Sequence, residues 1–157
     1  MHQGDLAPDF ELPDENGRPV RLSDLLGQGP VVLFFYPAAL TYGCTRESCH
    51  FRDLAAEFAA LGAQRVGISA DPVEKQKQFS EKHSFDFPLL SDSDYRYATQ
   101  FGVRRSIAKL GNKRTTFVID TDRRILGVIH NEIAFSAHAD RALALLRSRS
   151  APQAAPE

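Results

Sequence analysis

The run Val31-Val32-Leu33-Phe34-Phe35-Tyr36, closed by Pro37, is the stretch that most limits the possible folds. Six consecutive apolar, β-branched and aromatic residues, with no polar alternation, describe a strand covered on both faces. A strand covered twice needs helices on each side of its sheet, which points to an α/β chain. The remaining segments supply them. Phe51, Leu54, Ala55, Phe58 and Leu61 recur at helical spacing from Thr45 up to a stop at Gly62. Gln64–Ser69 reads as a second strand, and Asp71-Pro72 as the cap and first turn of a helix reaching about Lys82.

Outside this centre, Asp9–Leu12 and Pro19–Leu22 flank the turn residues 13–17 and are expected to form an N-terminal β-hairpin, with Ser23-Asp24 capping a short helix. Leu89-Leu90 suggests a short third strand and Tyr95–Phe101 a helix. Thr115–Ile119 and Ile125–Ile129, separated by turn-forming residues 120–124, read as an antiparallel pair, and Ser136–Leu146 as the last helix. The order gives a central mixed sheet flanked by helices with an N-terminal β-hairpin, a thioredoxin-like architecture. One domain over 1–147 is expected, followed by an irregular tail at 148–157 whose Ala, Pro, Ser and Gln show no periodicity. No internal repeat is present.

A chain of 157 residues, 43% hydrophobic, is large enough for its own core. Its formal charge of −1, with acids and bases interspersed, offers no basic field for nucleic acid. The apolar stretch around Val31–Leu40 is too short to cross a bilayer, and Met1–Asp5 lacks the features of a secretory signal, so a cytoplasmic location away from membranes is expected. In a reducing compartment two cysteines suit a transient redox role better than a structural crosslink, although a buried inert thiol is the common alternative.

Cys44 and Cys49 follow the central strand at the start of a helix, where unpaired N–H groups and the helix dipole favour a thiolate. The five histidines show no metal-ligand spacing, and the cysteines are not a Cys-x-x-Cys pair, so neither zinc nor a thioredoxin-type reductase is indicated. No cofactor is expected.

The string Phe35-Tyr36-Pro37-Ala38-Ala39-Leu40-Thr41-Tyr42-Gly43-Cys44 resembles the active-site motif of peroxiredoxins, with Pro37, Thr41 and Cys44 at the matching positions. Its continuation, Thr45-Arg46-Glu47-Ser48-Cys49-His50-Phe51-Arg52-Asp53, is similar to the subfamily called PrxQ or bacterioferritin comigratory protein. Further similar segments, including Gly67–Asp71, Phe87–Asp92, Gln100–Val103 and Arg114–Asp120, extend the resemblance over nearly the whole chain. Tyr42 departs from the proline common in the subfamily, and Ala38-Ala39 from a charged or polar pair.

The resemblance implies a thiol-dependent peroxidase in which Cys44 attacks a hydroperoxide and Cys49 resolves the resulting sulfenic acid as a disulfide. Thioredoxin or a similar dithiol would recycle it, and the chain would be a monomer or weak homodimer. Arg114 is implied as the cation beside the thiolate, with Thr41 donating and accepting at sulfur or peroxide and Pro37 shielding the sulfur. Backbone N–H groups at Gly43 and Cys44 are expected to face the peroxide, with Glu47 orienting Arg114 and Tyr36 lining the pocket. These types suit the chemistry, because charge moves from sulfur to a leaving oxygen and fixed donors must meet both atoms. The less specific readings are a helix cap for Thr41, a surface side chain for Arg114 and a small core residue for Cys49. A redox sensor or chaperone-like binding protein could use the same disulfide.

Five residues of ideal α-helix separate the two Cα atoms by about 8.6 Å and about 140° of rotation, beyond the roughly 7 Å a disulfide spans without backbone movement. Oxidation is therefore expected to unwind residues from about Thr41 to Phe51.

Overall fold

The computed structural model describes residues 1–106 and 111–154, with side chains up to Arg149. Strand β3 (Val31–Phe35) is the centre of a five-stranded sheet of order β5-β4-β3-β6-β7. It runs parallel to β4 (Gln64–Ser69), which is parallel to β5 (Leu89–Ser91). On its other side it is antiparallel to β6 (Thr115–Ile119), which pairs with β7 (Ile125–His130). β1 (Glu11–Pro13) and β2 (Pro19–Arg21) form the expected hairpin.

All five β3 residues are buried, and the pleat sends them to opposite sides. Val31, Leu33 and Phe35 join a core with Phe10, Phe101 and Phe117, while Val32 and Phe34 join a second core that holds Tyr36, Cys44, Phe51 and Phe79. Helices α2 (Tyr42–Asp53), α3 (Ala55–Ala60), α4 (Val73–His83) and α6 (Ala137–Ala154) contribute to the second core, and α5 (Arg96–Phe101) to the first. Phe51 stacks on Phe34 with ring centroids 4.3 Å apart, which docks α2 on β3. Full burial of such a ring stabilises by about 2–3 kcal/mol.

Four local features differ from the sequence reading. The helix expected from Thr45 to Leu61 begins at Tyr42 and is interrupted at Leu54. There the Phe51 carbonyl, which a continuous helix would give to residue 55, accepts instead from Arg65 Nη1 at 2.9 Å. Helix α1 (Leu22–Leu26) is capped by neither Ser23 nor Asp24; the Ser23 N–H donates to Asp9 Oδ1 across the hairpin. Pro72, not Asp71, is the N-cap of α4. Finally, α6 continues to Ala154, well past Leu146 and into the stretch expected to be irregular. Arg149 Nε holds Asp120 Oδ1 at 2.8 Å, which ties this extension to the end of β6. Residues 155–157 of that stretch lie outside the described residues.

The sheet topology also positions the site. Phe35 pairs with Thr115 and Thr115 with His130, so the end of β3, the start of β6 and the end of β7 coincide at one end of the sheet. The parallel partner β4 ends there too. Chain segments separated by up to about a hundred residues thus converge on the loop after Phe35.

Candidate active site

Cys44 occupies the first turn of α2 and is fully enclosed. Arg114, immediately before β6, is brought to it by the antiparallel pairing of β6 with β3, and its Nη2 lies 3.5 Å from Cys44 Sγ. The Nη1 of the same guanidinium donates to Glu47 Oε1 at 2.8 Å. Glu47 sits one turn after Cys44 on α2 and is as deeply buried. The backbone of Arg114 is fixed as well, its N–H donating to Glu132 Oε2 at 3.1 Å.

Thr41 precedes α2 in extended conformation, and its hydroxyl makes no cap bond. It donates to the Ala38 carbonyl at 2.7 Å, which closes the loop on itself. Between them Leu40 adopts a left-handed φ of 66°, unusual for a branched side chain. On the loop's far side the Ala39 N–H donates to Asp71 Oδ2 at 2.7 Å. Pro37 is half-buried beneath Gly111, where φ is +73° and a Cβ would fall 2.3 Å from the Pro37 carbonyl oxygen. Gly111 is glycine for both reasons.

Gly43 leaves room for side chains. A Cβ there would lie 2.8 Å from the Phe135 ring and 3.0 Å from Arg114 Nη2. Phe135 lies over the Arg114 guanidinium, 4.9 Å from carbon to ring centroid, and meets Tyr42 edge-on at 6.4 Å. Tyr42 is itself exposed and accepts from Arg46 at 2.9 Å.

The electrostatics correct one expectation. Burial pushes the Cys44 thiol above its ordinary value, outweighing Arg114, the Thr41 hydroxyl and a backbone hydrogen bond at Ala38, all of which favour the thiolate. The sequence reading weighed the helix terminus and the arginine but not the enclosure of the sulfur. Burial also raises Glu47, to about 8, against the pull of Arg114. Burial disfavours the charge of Arg114, yet Glu47 and Cys44 raise its pKa overall.

The profile of the AhpC/TSA family matches residues 3–128. This chain is a peroxiredoxin of the AhpC/TSA family. The peroxiredoxin is 40% identical over 155 residues to peroxiredoxin Bcp of Escherichia coli K12, covering 96% of this chain and 98% of that protein. It is similar in structure to peroxidoxin BcpB of Mycobacterium tuberculosis, with a TM-score of 0.90 and 61% identity over 94% of this chain and 97% of the other. The bacterioferritin comigratory protein of Xanthomonas campestris, described for its alkyl peroxide reduction, matches with a TM-score of 0.81 and 31% identity, covering 90% of this chain and 92% of that one. The thioredoxin-like fold and the PrxQ and Bcp relationship expected from the sequence are those of these relatives.

In this peroxiredoxin the structure brings Cys44, Arg114 and Glu47 into contact, with Thr41 and Pro37 on the preceding loop and Gly43 in the first turn of α2 around them. Tyr36 is placed differently from expectation. It is fully buried, its hydroxyl donates to Gln76 Oε1, and it forms part of the core behind Cys44 instead of a solvent-facing wall. The β3 period accounts for this, since Tyr36 continues the Val32–Phe34 face. Cys49 is a free, half-buried thiol on α2, beside a cavity of about 470 Å³ that is also lined by His50, Asp53, Ile133 and Phe135. Burial raises its pKa, with Arg52 opposing. Among the described residues no group of three or more His, Cys, Asp or Glu could hold a metal ion, and no helix is long and apolar enough to cross a membrane.

Sequence reasoning missed Phe135, Gly111 and the loop role of Asp71. Only Gly111 carries a readable signal, as a glycine just ahead of a strand. Phe135 reads as an ordinary aromatic, and Asp71 as a helix cap.

Proposed function

We propose that this peroxiredoxin reduces hydrogen peroxide and organic hydroperoxides through Cys44, closes an intramolecular disulfide with Cys49, and is recycled by thioredoxin or a similar dithiol donor. The contact of Arg114 Nη2 with Cys44 Sγ at the start of α2 carries this reading. The thiolate attacks one oxygen of the peroxide, the O–O bond breaks, and the leaving oxygen takes a proton to become water or an alcohol. Cys44 is left as a sulfenic acid. Arg114 and the N–H groups at the helix start meet the negative charge as it moves from sulfur to oxygen, while the Thr41 hydroxyl orients at the same place.

The thiolate of Cys49 then attacks Cys44 Sγ and expels hydroxide, which leaves as water. Both cysteines lie on one unbroken helix, so α2 unwinds for this step. A dithiol donor returns both thiols and leaves as its own disulfide. The alkyl peroxide reduction of the Xanthomonas relative supports organic hydroperoxides as substrates. The peroxidase works in the cytoplasm as a monomer or weak homodimer.

The test is peroxide-dependent NADPH oxidation with thioredoxin and thioredoxin reductase, comparing the wild type with Cys44→Ser and Cys49→Ser. Multiple turnovers that vanish in Cys44→Ser and are lost or reduced in Cys49→Ser are expected. A wild type that forms its disulfide once and then stalls with every dithiol donor would favour the redox-sensor reading instead.

A further inference from the structure

The two cysteines share one helix, and the turn that carries Cys49 is the less firmly held. Cys44 is enclosed beside Arg114, and Phe51 is stacked on Phe34. Between them Cys49, His50 and Asp53 border the cavity of about 470 Å³ that Ile133 and Phe135 also line. Among the described residues, the side chains of residues 45–50 make polar contacts with other elements at Glu47 and His50 alone. Glu47 meets Arg114 and His138, within the Cys44 site. His50 has no task in the peroxidase reaction, yet its Nε2 lies 2.7 Å from Oδ1 of Asp140 in the first turn of α6. A carboxylate only accepts, so Nε2 carries the hydrogen of this bond.

We propose that the His50–Asp140 hydrogen bond is a latch on α2: it holds the Cys49 turn against α6 while Cys44 meets peroxide, and its release limits how fast Cys49 closes the disulfide. The proposal rests on the reading of Cys49 as the resolving thiol. From its place on an ideal helix, the Cys49 Cα must come roughly 3 Å nearer to that of Cys44 before a disulfide fits. His50 is carried along, because consecutive Cα atoms keep a fixed separation. A bond of 2.7 Å stretched by about 1 Å is no longer a hydrogen bond. The latch therefore belongs to the folded helix and is lost in the unwound one, so its contribution adds to the cost of unwinding.

The delay has a chemical consequence. A sulfenic acid that waits for Cys49 is open to a second hydroperoxide, which gives one oxygen to the sulfur to make the sulfinic acid and leaves as water or an alcohol. The latch thus sets how the Cys44 sulfenic acid divides between disulfide and over-oxidation.

The test changes α6, so that the sequence of α2 stays intact. Asp140→Ala and Asp140→Asn both remove an acidic side chain from the first turn of α6, but the asparagine amide still accepts from His50 Nε2. The Asp140 side chain is 59% exposed, so both variants are expected to fold. Each protein is mixed rapidly with hydrogen peroxide, quenched and read by mass spectrometry. Asp140→Ala should lose its Cys44 thiol at the wild-type rate, close the disulfide about two- to fivefold faster, and gather less sulfinic acid under excess peroxide. Asp140→Asn should stay close to the wild type. Closure no faster in Asp140→Ala, or equally faster in both variants, would overturn the proposal. Amide exchange of residues 45–50 in the reduced proteins reads the latch with no disulfide involved. It should be faster in Asp140→Ala than in Asp140→Asn, and equal exchange would also overturn the proposal. If exchange responds but no variant, nor the wild type, ever closes a disulfide, the resolving role of Cys49 fails and the latch does not.

Discussion

The Asp71 carboxylate accepts from the Ala39 backbone N–H at 2.7 Å and so fastens the loop before Cys44 to the end of β4. Ser69 Oγ donates to the same oxygen at 2.6 Å. Together with the Thr41–Ala38 bond, this contact brackets Leu40 in its left-handed conformation, which costs on the order of 1 kcal/mol. Asp71→Ala removes one side of the bracket and lets Leu40 relax. We expect a loss of about 1–3 kcal/mol in urea unfolding, and a reaction of Cys44 with peroxide slowed by about tenfold or more as the donors lose alignment. Stopped-flow measurement of the single-turnover rate checks this, and an unaltered rate would show that the loop holds its shape without Asp71.

What the sequence made legible was either local or apolar. Val31–Tyr36 could be read because both faces are buried, and Pro37, Thr41 and Cys44 because they share one short string. Arg114, seventy residues from Cys44, was reachable only through resemblance, since nothing in its own neighbourhood separates it from a surface arginine. The break at Leu54 was invisible because the apolar period continues across it, while its cause, Arg65 on the Phe51 carbonyl, comes from another strand. Asp71 beside Pro72 reads as a cap, and the tertiary contact with Ala39 overrides that local reading. The raised pKa of Cys44 depends on enclosure by the whole core, a sum no motif encodes.

Arg114 serves two buried acidic groups with one planar fork, Nη1 to Glu47 and Nη2 to Cys44. A lysine keeps the charge but cannot reach both at once. Arg114→Lys should therefore fold and lose about 100- to 1,000-fold in the peroxide step, the usual cost of a misplaced charge-stabilising donor. Arg114→Met also removes the donor to Glu47 Oε1 and should cost about 1–3 kcal/mol of stability. Denaturation and peroxide kinetics on the two variants separate these effects. A fully active Arg114→Lys would mean that charge alone suffices.

The interruption at Leu54 limits how far oxidation can spread. Phe51 is stacked on Phe34, and the carbonyl of Phe51 is held by Arg65, so the second half of α2 is anchored more firmly than the turns between Cys44 and Cys49. Helix α3 is docked separately by Phe58. Disulfide formation should raise amide hydrogen exchange over residues 42–50 and leave residues 55–60 as protected as in the reduced protein. Equal protection of residues 42–50 in both redox states would rule out local unwinding as the route to the disulfide.

Buried Glu47 and His138 should give the fold an unusual dependence on pH. Glu47 is raised to about 8 in the folded protein, so its contribution is complete below the ordinary glutamate value and is lost as pH rises through about 8. His138 is lowered to about 4, so its contribution is complete above the ordinary histidine value and is lost as pH falls toward about 4. Between the ordinary values of the two side chains, roughly pH 4.5 to 6.5, the slopes oppose each other and stability from this pair should be nearly flat. Above that range only Glu47 titrates, and the pair should lose on the order of 2 kcal/mol by about pH 8.5. Urea midpoints measured from about pH 5 to 8.5 would trace the plateau and the fall. In Glu47→Gln, which cannot ionise, the alkaline fall should disappear, and its persistence there would assign the loss to another group.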